Sequence, residues 1–272
     1  MPTALLRLAT LLLTALAALS AAGPAAAADM AVFDQPTLSH ARADLASLVN
    51  GQRVGGGLVA LQLDPKAAAI AQARAETLAA TDVLSHTGPD GRTVFDAIRA
   101  SGINWYGAGE VLVWNNYPTE ADSTAQAVAA WLASPPHRSI IMSADYNYVG
   151  FGAAVSPASG NRYYAGVLLK ASDTTGGWAK AAAPSVQVLD ATAARVTVGW
   201  TGADIRLQVL TAGLRDFEVQ RRVAGGAWQS LGGTTHTTVS VTVARGQVYE
   251  FRVRARDKAG NRGAWSSVTV TT

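Results

Sequence analysis

Apolar residues recur at helical spacing in the first half of the chain and at strand spacing in the second. Before residue 148 they repeat every three or four positions, which is typical of amphipathic helices. The predicted helices span 37–52, 66–80, 93–100 and 119–131. The runs 148–155 and 163–169 are apolar and aromatic, are joined by a Ser-, Pro- and Gly-containing turn, and predict an antiparallel hairpin.

Capping residues mark where these helices begin and end. Asp64 followed by Pro65 predicts a helix start, because aspartate accepts a bond from a free backbone N–H and proline fits the first helical position. Thr119 with Asp122 resembles a capping box. The pair Pro135-Pro136 predicts the end of the helix that Thr119 opens.

Beyond residue 184 the alternation is continuous. Val196, Val198 and Trp200 alternate with other residues, as do the apolar positions of 249–255. Glycine-containing turns separate these short runs, which predicts an all-β sandwich. The segment 173–183 mixes Gly, Ala and Thr and is predicted to be a linker.

The stretch Tyr249-x-Phe-x-Val-x-Ala, together with Trp200 and the run 217–221, resembles a fibronectin type III domain. The resemblance covers 184–272. It implies a two-sheet sandwich in which Tyr249 is the corner tyrosine, with its hydroxyl bonded to nearby backbone.

Alternation places Arg252, Arg254 and Arg256 on the outer face of the predicted sandwich, beside Arg222. One interpretation is a basic stripe that docks on anionic cell-wall polymers. The favoured interpretation is a solvated face that keeps the sheet soluble. Nucleic acid is not an expected partner, because the chain is predicted to be exported and the stripe shows no interleaved exposed aromatic residues.

The first 28 residues have the order of a signal peptide: Arg7, an apolar run over 11–19, then alanines at 25–28. The apolar run is shorter than the roughly 20 residues that a membrane span needs. The chain is therefore expected to be secreted or extracellular, with cell-wall association as one option, and to keep no transmembrane anchor after signal removal.

Composition narrows the chemistry and suggests two domains. The chain has no cysteine, which excludes thiol nucleophiles and cysteine-ligated zinc, so a metal site would rest on the four histidines and on carboxylates. Residues 29–180 carry 10 Lys and Arg against 13 Asp and Glu, whereas 181–272 carry 11 against 6. The predicted domains are 37–172 and 184–272.

Five short motifs in 37–171 resemble the bacterial branch of the CAP superfamily, the SCP-like proteins. The resemblance implies an α-β-α sandwich, so the whole chain is expected to be α+β: a CAP-type sandwich followed by a fibronectin type III sandwich. The motifs are Leu48-Val49-Asn50-x-x-Arg53, Leu84-Ser85-His86, Trp105 before Gly109-Glu110, Ala130-Trp131-x-x-Ser134-Pro135-Pro136-His137-Arg138, and Val149-Gly150-Phe151-Gly152.

The resemblance implies a ligand-binding cleft at His86, Glu110 and His137. Two neutral imidazoles can hold Zn²⁺, which makes His86 and His137 the predicted metal ligands and Glu110 the candidate general base. From the residues alone, the two histidines are 51 positions apart with no ligand spacing, and each of the three has an ordinary structural interpretation. The chain also departs from the family pattern at Val111, Ser134 and Pro136, which leaves three polar groups where many relatives have four.

Three functions follow as hypotheses. The favoured one is a secreted binding module for a lipid, sterol or cell-wall ligand, spaced or docked by the second domain. The alternative is a zinc-assisted hydrolase acting on cell-wall peptides or extracellular proteins, so enzymatic activity is left open. The third is an adhesion protein whose cleft residues serve only stability.

Overall fold

The computed structural model describes residues 38–272. The predicted signal peptide, 1–28, lies outside the described residues. No helix in the described part combines the length and the apolar character that crossing a membrane requires.

Helices and strands alternate in residues 38–172, which we call the first region. The helices are α1 (Ala41–Gly55), α2 (Pro65–Thr81), α3 (Val94–Ala100), α4 (Glu120–Ala133) and α5 (Pro135–Ile141). The strands are β1 (Gln62–Leu63), β2 (Trp105–Asn115), β3 (Tyr148–Val155) and β4 (Arg162–Ala171).

The four strands form one sheet in the order β1-β3-β4-β2, antiparallel except for the short β1–β3 pair. Tyr164 and Leu168 of β4 belong to a buried cluster shared with α1, α4 and α5. Tyr163 and Val167 belong to a second cluster shared with α2 and α3. Helices therefore cover both faces of the sheet, and the expected α-β-α arrangement is confirmed.

Helix α2 packs unusually close to β3 because two strand positions are glycine. A Cβ atom built on Gly150 would lie 2.1 Å from the backbone of Ala67, and one on Gly152 would lie 2.2 Å from the backbone of Ala71. No side chain fits these gaps, since real Cβ atoms do not approach backbone so closely. The Gly150-Phe151-Gly152 motif is thus explained by helix–sheet packing.

The motif around Asn50 and Arg53 has a structural role as well. The Asn50 side chain bonds both the backbone N–H and the carbonyl of Leu61, at 2.8 and 3.0 Å. Arg53 is fully buried and donates to the carbonyls of Ile141 and Ser143, at 2.6 and 2.8 Å. Burial lowers the pKa of Arg53, because the charged form is partly desolvated. These bonds tie α1 to the segments that precede β1 and follow α5.

Strand β2 and helix α5, which both carry site residues, differ from the sequence-based expectation. Strand β2 was not predicted, because Gly107 and Gly109 interrupt its alternating pattern. Helix α5 was not predicted either, since Pro135 is its first residue and not only the stop of α4. Proline is tolerated at the first helical position, where its missing N–H would have no partner.

Residues 173–272, the second region, form two packed sheets. Their strands are β5 (Trp178–Ala181), β6 (Ser185–Val188), β7 (Ala193–Ala203), β8 (Leu214–Val223), β9 (Gln229–Thr234), β10 (Thr238–Ala244), β11 (Val248–Asp257) and β12 (Ser266–Thr271). One sheet has the order β10-β7-β5, with β6 also paired to β7, and the other has the order β12-β11-β8-β9. The core between them contains Trp200, Phe217, Tyr249, Phe251 and Val253. The expected all-β sandwich is confirmed.

The predicted linker, 173–183, contains strand β5. Its residues pair antiparallel with β7, from Trp178 opposite Ala203 to Ala181 opposite Trp200. Part of this segment therefore belongs to a sandwich sheet, and the division of the chain at 173 and 184 stays a prediction.

The arginine stripe is paired with acids on the same face. Arg222 lies 2.6 Å from Glu250, Arg254 lies 2.6 Å from Glu218, and Arg256 lies 2.7 Å from Asp216. Asp216 has a lowered pKa because Arg256 donates hydrogen bonds to its carboxylate.

Two half-buried tryptophans lie among these arginines, so the stripe has interleaved aromatic residues that the sequence did not reveal, but not the exposed ones that nucleic-acid stacking would need. Trp228 stacks against Arg222 and Arg252, with guanidinium carbons 4.5 and 4.0 Å from the ring centroid. Trp265 stacks against Arg252 and Arg254 at 4.4 and 4.3 Å. Trp228 lies just beyond β8, and Trp265 lies just before β12. Three of the four arginines of this face are thus paired with acids, whereas Arg252 donates to the amide oxygen of Gln220.

Removing the Tyr249 hydroxyl should destabilise the sandwich. The Ala244 N–H donates to this hydroxyl at 3.1 Å, as expected of a corner tyrosine, and Tyr249 is 5% exposed. We expect Tyr249→Phe to lower the free energy of unfolding by about 0.5–1.5 kcal/mol, the net worth of one hydrogen bond. Urea unfolding checks this, with the exposed Tyr117→Phe as control; equal stability of the two variants would contradict it.

Candidate functional site

Glu110 lies at the bottom of a cleft with both carboxylate oxygens engaged. It stands in the middle of β2, opposite Val167 of β4, and only 6% of its surface is exposed. One oxygen, Oε1, accepts from Arg74 Nε at 2.8 Å. The other, Oε2, contacts His86 Nδ1 at 2.6 Å and Arg74 Nη2 at 3.5 Å. The carboxylate is therefore held in one orientation from two sides.

Arg74 of α2 bridges this carboxylate and the chain that carries His86. Besides its bonds to Glu110, its Nη2 donates to the carbonyl of Ser85 at 2.7 Å. The side chain of Arg74 is 10% exposed and that of Glu110 is 3% exposed, so the ion pair is buried. A buried arginine–carboxylate pair is geometrically specific, because the planar guanidinium has a fixed fork of donors.

The short contact between His86 Nδ1 and Glu110 fixes the histidine ring. A carboxylate accepts a hydrogen bond and does not donate one, so Nδ1 carries the hydrogen of this contact; in the neutral form of the ring, the lone pair is then on Nε2. The His86 side chain is 62% exposed, and its ring is 6.5 Å from the ring of His137, centroid to centroid. The two imidazoles thus face the same cleft.

His137 is the third residue of α5, a helix that the two prolines begin. Burial lowers the pKa of His137, because the charged imidazolium loses solvation, and the proximity of His86 lowers it further. The neutral imidazole, which is the form that binds metal ions, is therefore favoured at this position.

The cleft has apolar walls around these polar groups. Its volume is about 310 Å³. The hydroxyl of Tyr146 lies beside Gly109, whose missing side chain leaves room for Ile140; a Cβ there would be 2.7 Å from the Ile140 methyl. Burial raises the pKa of Tyr146, which keeps the phenol protonated and able to donate a hydrogen bond. The remaining lining residues are Thr93, Val94, Phe95, Ala108 and Pro136.

The structure brings His86, Glu110 and His137 into one cleft. Among residues 38–272, however, these three do not form a cluster whose ligand atoms all lie within 4.8 Å of one another. Glu110 is directed at His86 Nδ1 and Arg74, so only the two imidazoles offer ligand atoms toward the cleft. The assignments of metal ligand and general base stay predictions.

A different group, Asp173, Asp204 and Asp257, does meet that distance criterion. Burial raises the pKa of Asp204, and the charges of Asp173 and Asp257 act in the same direction. Backbone and side-chain donors already occupy the oxygens: the N–H groups of Ile205 and Gly213 for Asp204, and Asn261 for Asp257. The hydrogen bonds of these carboxylates account for the trio without a cation.

Arg74 and Tyr146 were missed at the sequence level. Arg74 lies in an alanine-rich helix, and the only signal was its position on the buried side of α2, in register with Ala67, Ala71 and Leu78. A charged residue on an apolar helix face needs a buried partner, which the sequence cannot identify. Tyr146 precedes β3, and no motif in the sequence marks it as a cleft residue.

Removing one partner of the buried pair should be more costly than removing both. Glu110→Leu leaves the Arg74 guanidinium without its carboxylate, and we expect a loss of about 3–5 kcal/mol in the free energy of unfolding. The double variant Arg74→Met/Glu110→Leu should be less destabilised than the single one. Denaturant unfolding of Glu110→Leu, Arg74→Met and the double variant measures the coupling energy between the two side chains. Additive losses would show that the pair is not coupled.

Residues 46–168 match the CAP family, described as the cysteine-rich secretory protein family. The uncharacterized protein YkwD of Bacillus subtilis is 28% identical over 105 residues, which are 39% of this chain and 39% of YkwD. An extracellular protein containing an SCP domain from Bacillus anthracis aligns with a TM-score of 0.42 at 19% identity, over 48% of this chain and 40% of that one.

The sixth fibronectin type III domain of a human fibronectin type III domain containing protein aligns with a TM-score of 0.25 at 20% identity, over 34% of this chain and 83% of that domain. Because both TM-scores are below 0.5, the strand order and not these likenesses identifies the sandwich. The chain carries a CAP domain, matched over residues 46–168, followed by a two-sheet β-sandwich region.

Proposed function

We propose that the chain is an extracellular binding module whose CAP cleft holds part of a lipid, sterol or cell-wall ligand. The observation that carries the proposal is the state of Glu110: both oxygens are engaged, by Arg74 and by His86. A carboxylate in this position orients a histidine and is poorly placed to take a proton from a substrate. The cleft is thus built for holding a ligand in a fixed orientation.

The shape and lining of the cleft favour a ligand with both apolar and polar parts. A volume of about 310 Å³ is at the lower end of the range for small-molecule sites. Phe95 and Ile140 supply apolar surface, while Tyr146 and the two histidines supply hydrogen-bonding groups. A group of this size is one unit of a larger molecule, which favours a cell-wall ligand over a whole sterol.

The donor set fits a zinc ion. Metal-binding histidines commonly donate their second ring N–H to a carboxylate, and His86 makes this contact with Glu110. His86 and His137 would hold the ion, which when bound supplies a Lewis acid and an activated water. Glu110 would keep His86 Nε2 turned toward the cleft, and Arg74 would keep Glu110 in place.

The runner-up, a zinc-assisted hydrolase with Glu110 as general base, has less support. It requires that Glu110 reach a water in the cleft, whereas the carboxylate faces Arg74 and His86. Glu110 would have to break the 2.6 Å contact with His86 before acting as a base.

Ligand binding should depend on the apolar wall of the cleft. We expect the mature chain to co-sediment with isolated cell walls, and Ile140→Asp to reduce the bound fraction at least tenfold, since a carboxylate on that wall is unpaired and repels an apolar ligand. The same co-sedimentation measurement is made with vesicles of neutral lipid, with and without sterol. The exposed Val223→Asp is the matched control. No binding to walls or vesicles by the wild type would contradict the proposal.

Zinc binding should require both histidines. By calorimetry with zinc alone, we expect about one ion per wild-type chain and at least a tenfold weaker association in His86→Ala/His137→Ala, because two of the ligands are lost. The exposed His236→Ala is the control and should match the wild type. Equal affinity of wild type and double variant would remove zinc from the proposal and leave the binding cleft intact.

A further inference from the structure

We propose that the loop between β7 and β8, residues 204–213, is an intramolecular docking loop that fixes the second region to the CAP domain. In this arrangement the second region does not move independently of the first, because the docking loop packs into the core of the first region. This inference goes beyond ligand binding in the cleft and does not depend on it.

Leu207 is the apolar anchor of the loop. It is 2% exposed and belongs to the buried cluster of the first region, with Tyr148, Leu169 and Ala171. Ile205 packs against the same cluster. A side chain of the second region thus completes a core that the first region leaves open, and burial of that apolar surface favours the docked state.

The two residues after Leu207 make polar contacts with the first region. The backbone N–H of Val59 donates to Gln208 Oε1 at 2.7 Å. The Asn147 amide, which is fully buried, donates to the carbonyl of Val209 at 3.2 Å. Three consecutive loop residues therefore contact the CAP domain, one through its side-chain surface and two through hydrogen bonds.

Asp173 fastens the far end of the same loop. It is 8% exposed, and its Oδ2 accepts from the Ala212 N–H at 2.8 Å while its Oδ1 accepts from the Tyr148 hydroxyl at 3.2 Å. Its carbonyl accepts from the Asn261 amide at 2.9 Å. Asp173 thus joins β3 and the docking loop through its carboxylate, and the turn after β11 through its backbone carbonyl.

The backbone of the loop is strained where it meets these contacts. Leu210 has φ of +60°, although its side chain is 44% exposed and has no core to enter. A leucine in the left-handed region is unfavourable and persists when the surrounding structure determines the conformation. The contacts of Leu207 to Val209 on one side and of Ala212 on the other supply that constraint.

Replacing Leu207 should undock the two regions in the full chain. With Leu207→Asp, we expect the radius of gyration from X-ray scattering to rise and protease cleavage within 173–177 and 204–213 to accelerate about tenfold or more, because cleavage tracks the open population. Leu189→Asp, an exposed leucine in a turn of the second region, should leave both measurements at their wild-type values.

The milder Leu207→Ala separates undocking from unfolding. Mass spectrometry should place its new cleavages in the same two segments, at a rate between wild type and Leu207→Asp. Unchanged scattering and unchanged cleavage in both variants would overturn the proposal. Cleavage spread evenly over the chain would overturn it too, since Leu207 would then support general stability and not docking.

Discussion

Strand β4 is covered by helices on both faces, and this constraint arranges the rest of the CAP domain. Tyr164 and Leu168 point to one layer of helices, and Tyr163 and Val167 point to the other. A strand buried in this way needs close-packed neighbours, which explains why α2 lies directly on the glycines of β3. The edge strand β2 lies beside β4 and is packed against α4 and α5.

The cleft is a consequence of this packing. Glu110 enters the interior from β2, where an uncompensated carboxylate would be costly, and Arg74 of α2 is within reach to compensate it. The pair is then rigid enough to hold an exposed histidine at the rim. In the low dielectric of the interior an unpaired charge is costly and a paired one is strongly held. The ion pair is therefore fixed in one geometry.

In the second region, cross-strand ion pairs neutralise positive charge that the composition alone would suggest is exposed. Its excess of arginine suggested a surface for polyanions, but the sheet brings Asp216, Glu218 and Glu250 opposite the arginines of β8 and β11. Trp228 and Trp265 then cover the guanidinium planes. Cross-strand pairs of this kind stabilise a sheet face and neutralise most of its positive charge.

The sequence by itself determined helices α1 to α4, the β3–β4 hairpin and the change to an all-β second region. Apolar period distinguished helices from strands, capping residues placed the starts of α2 and α4, and the Tyr-x-Phe-x-Val pattern identified β11 and its corner tyrosine. The sequence did not predict β2 or α5. Gly109 of β2 makes room for Ile140, and Pro135 begins α5, and neither role can be read from the local pattern.

Only the tertiary structure decided which side chains meet. Arg74 and Glu110 are 36 positions apart, and Leu207 is far along the chain from the core it completes. Periodicity is a property of consecutive residues, so it can show that a residue is buried without showing its partner. The partners are chosen by packing across the sheet, because a buried charge or an open core must be satisfied by whatever the fold brings within reach.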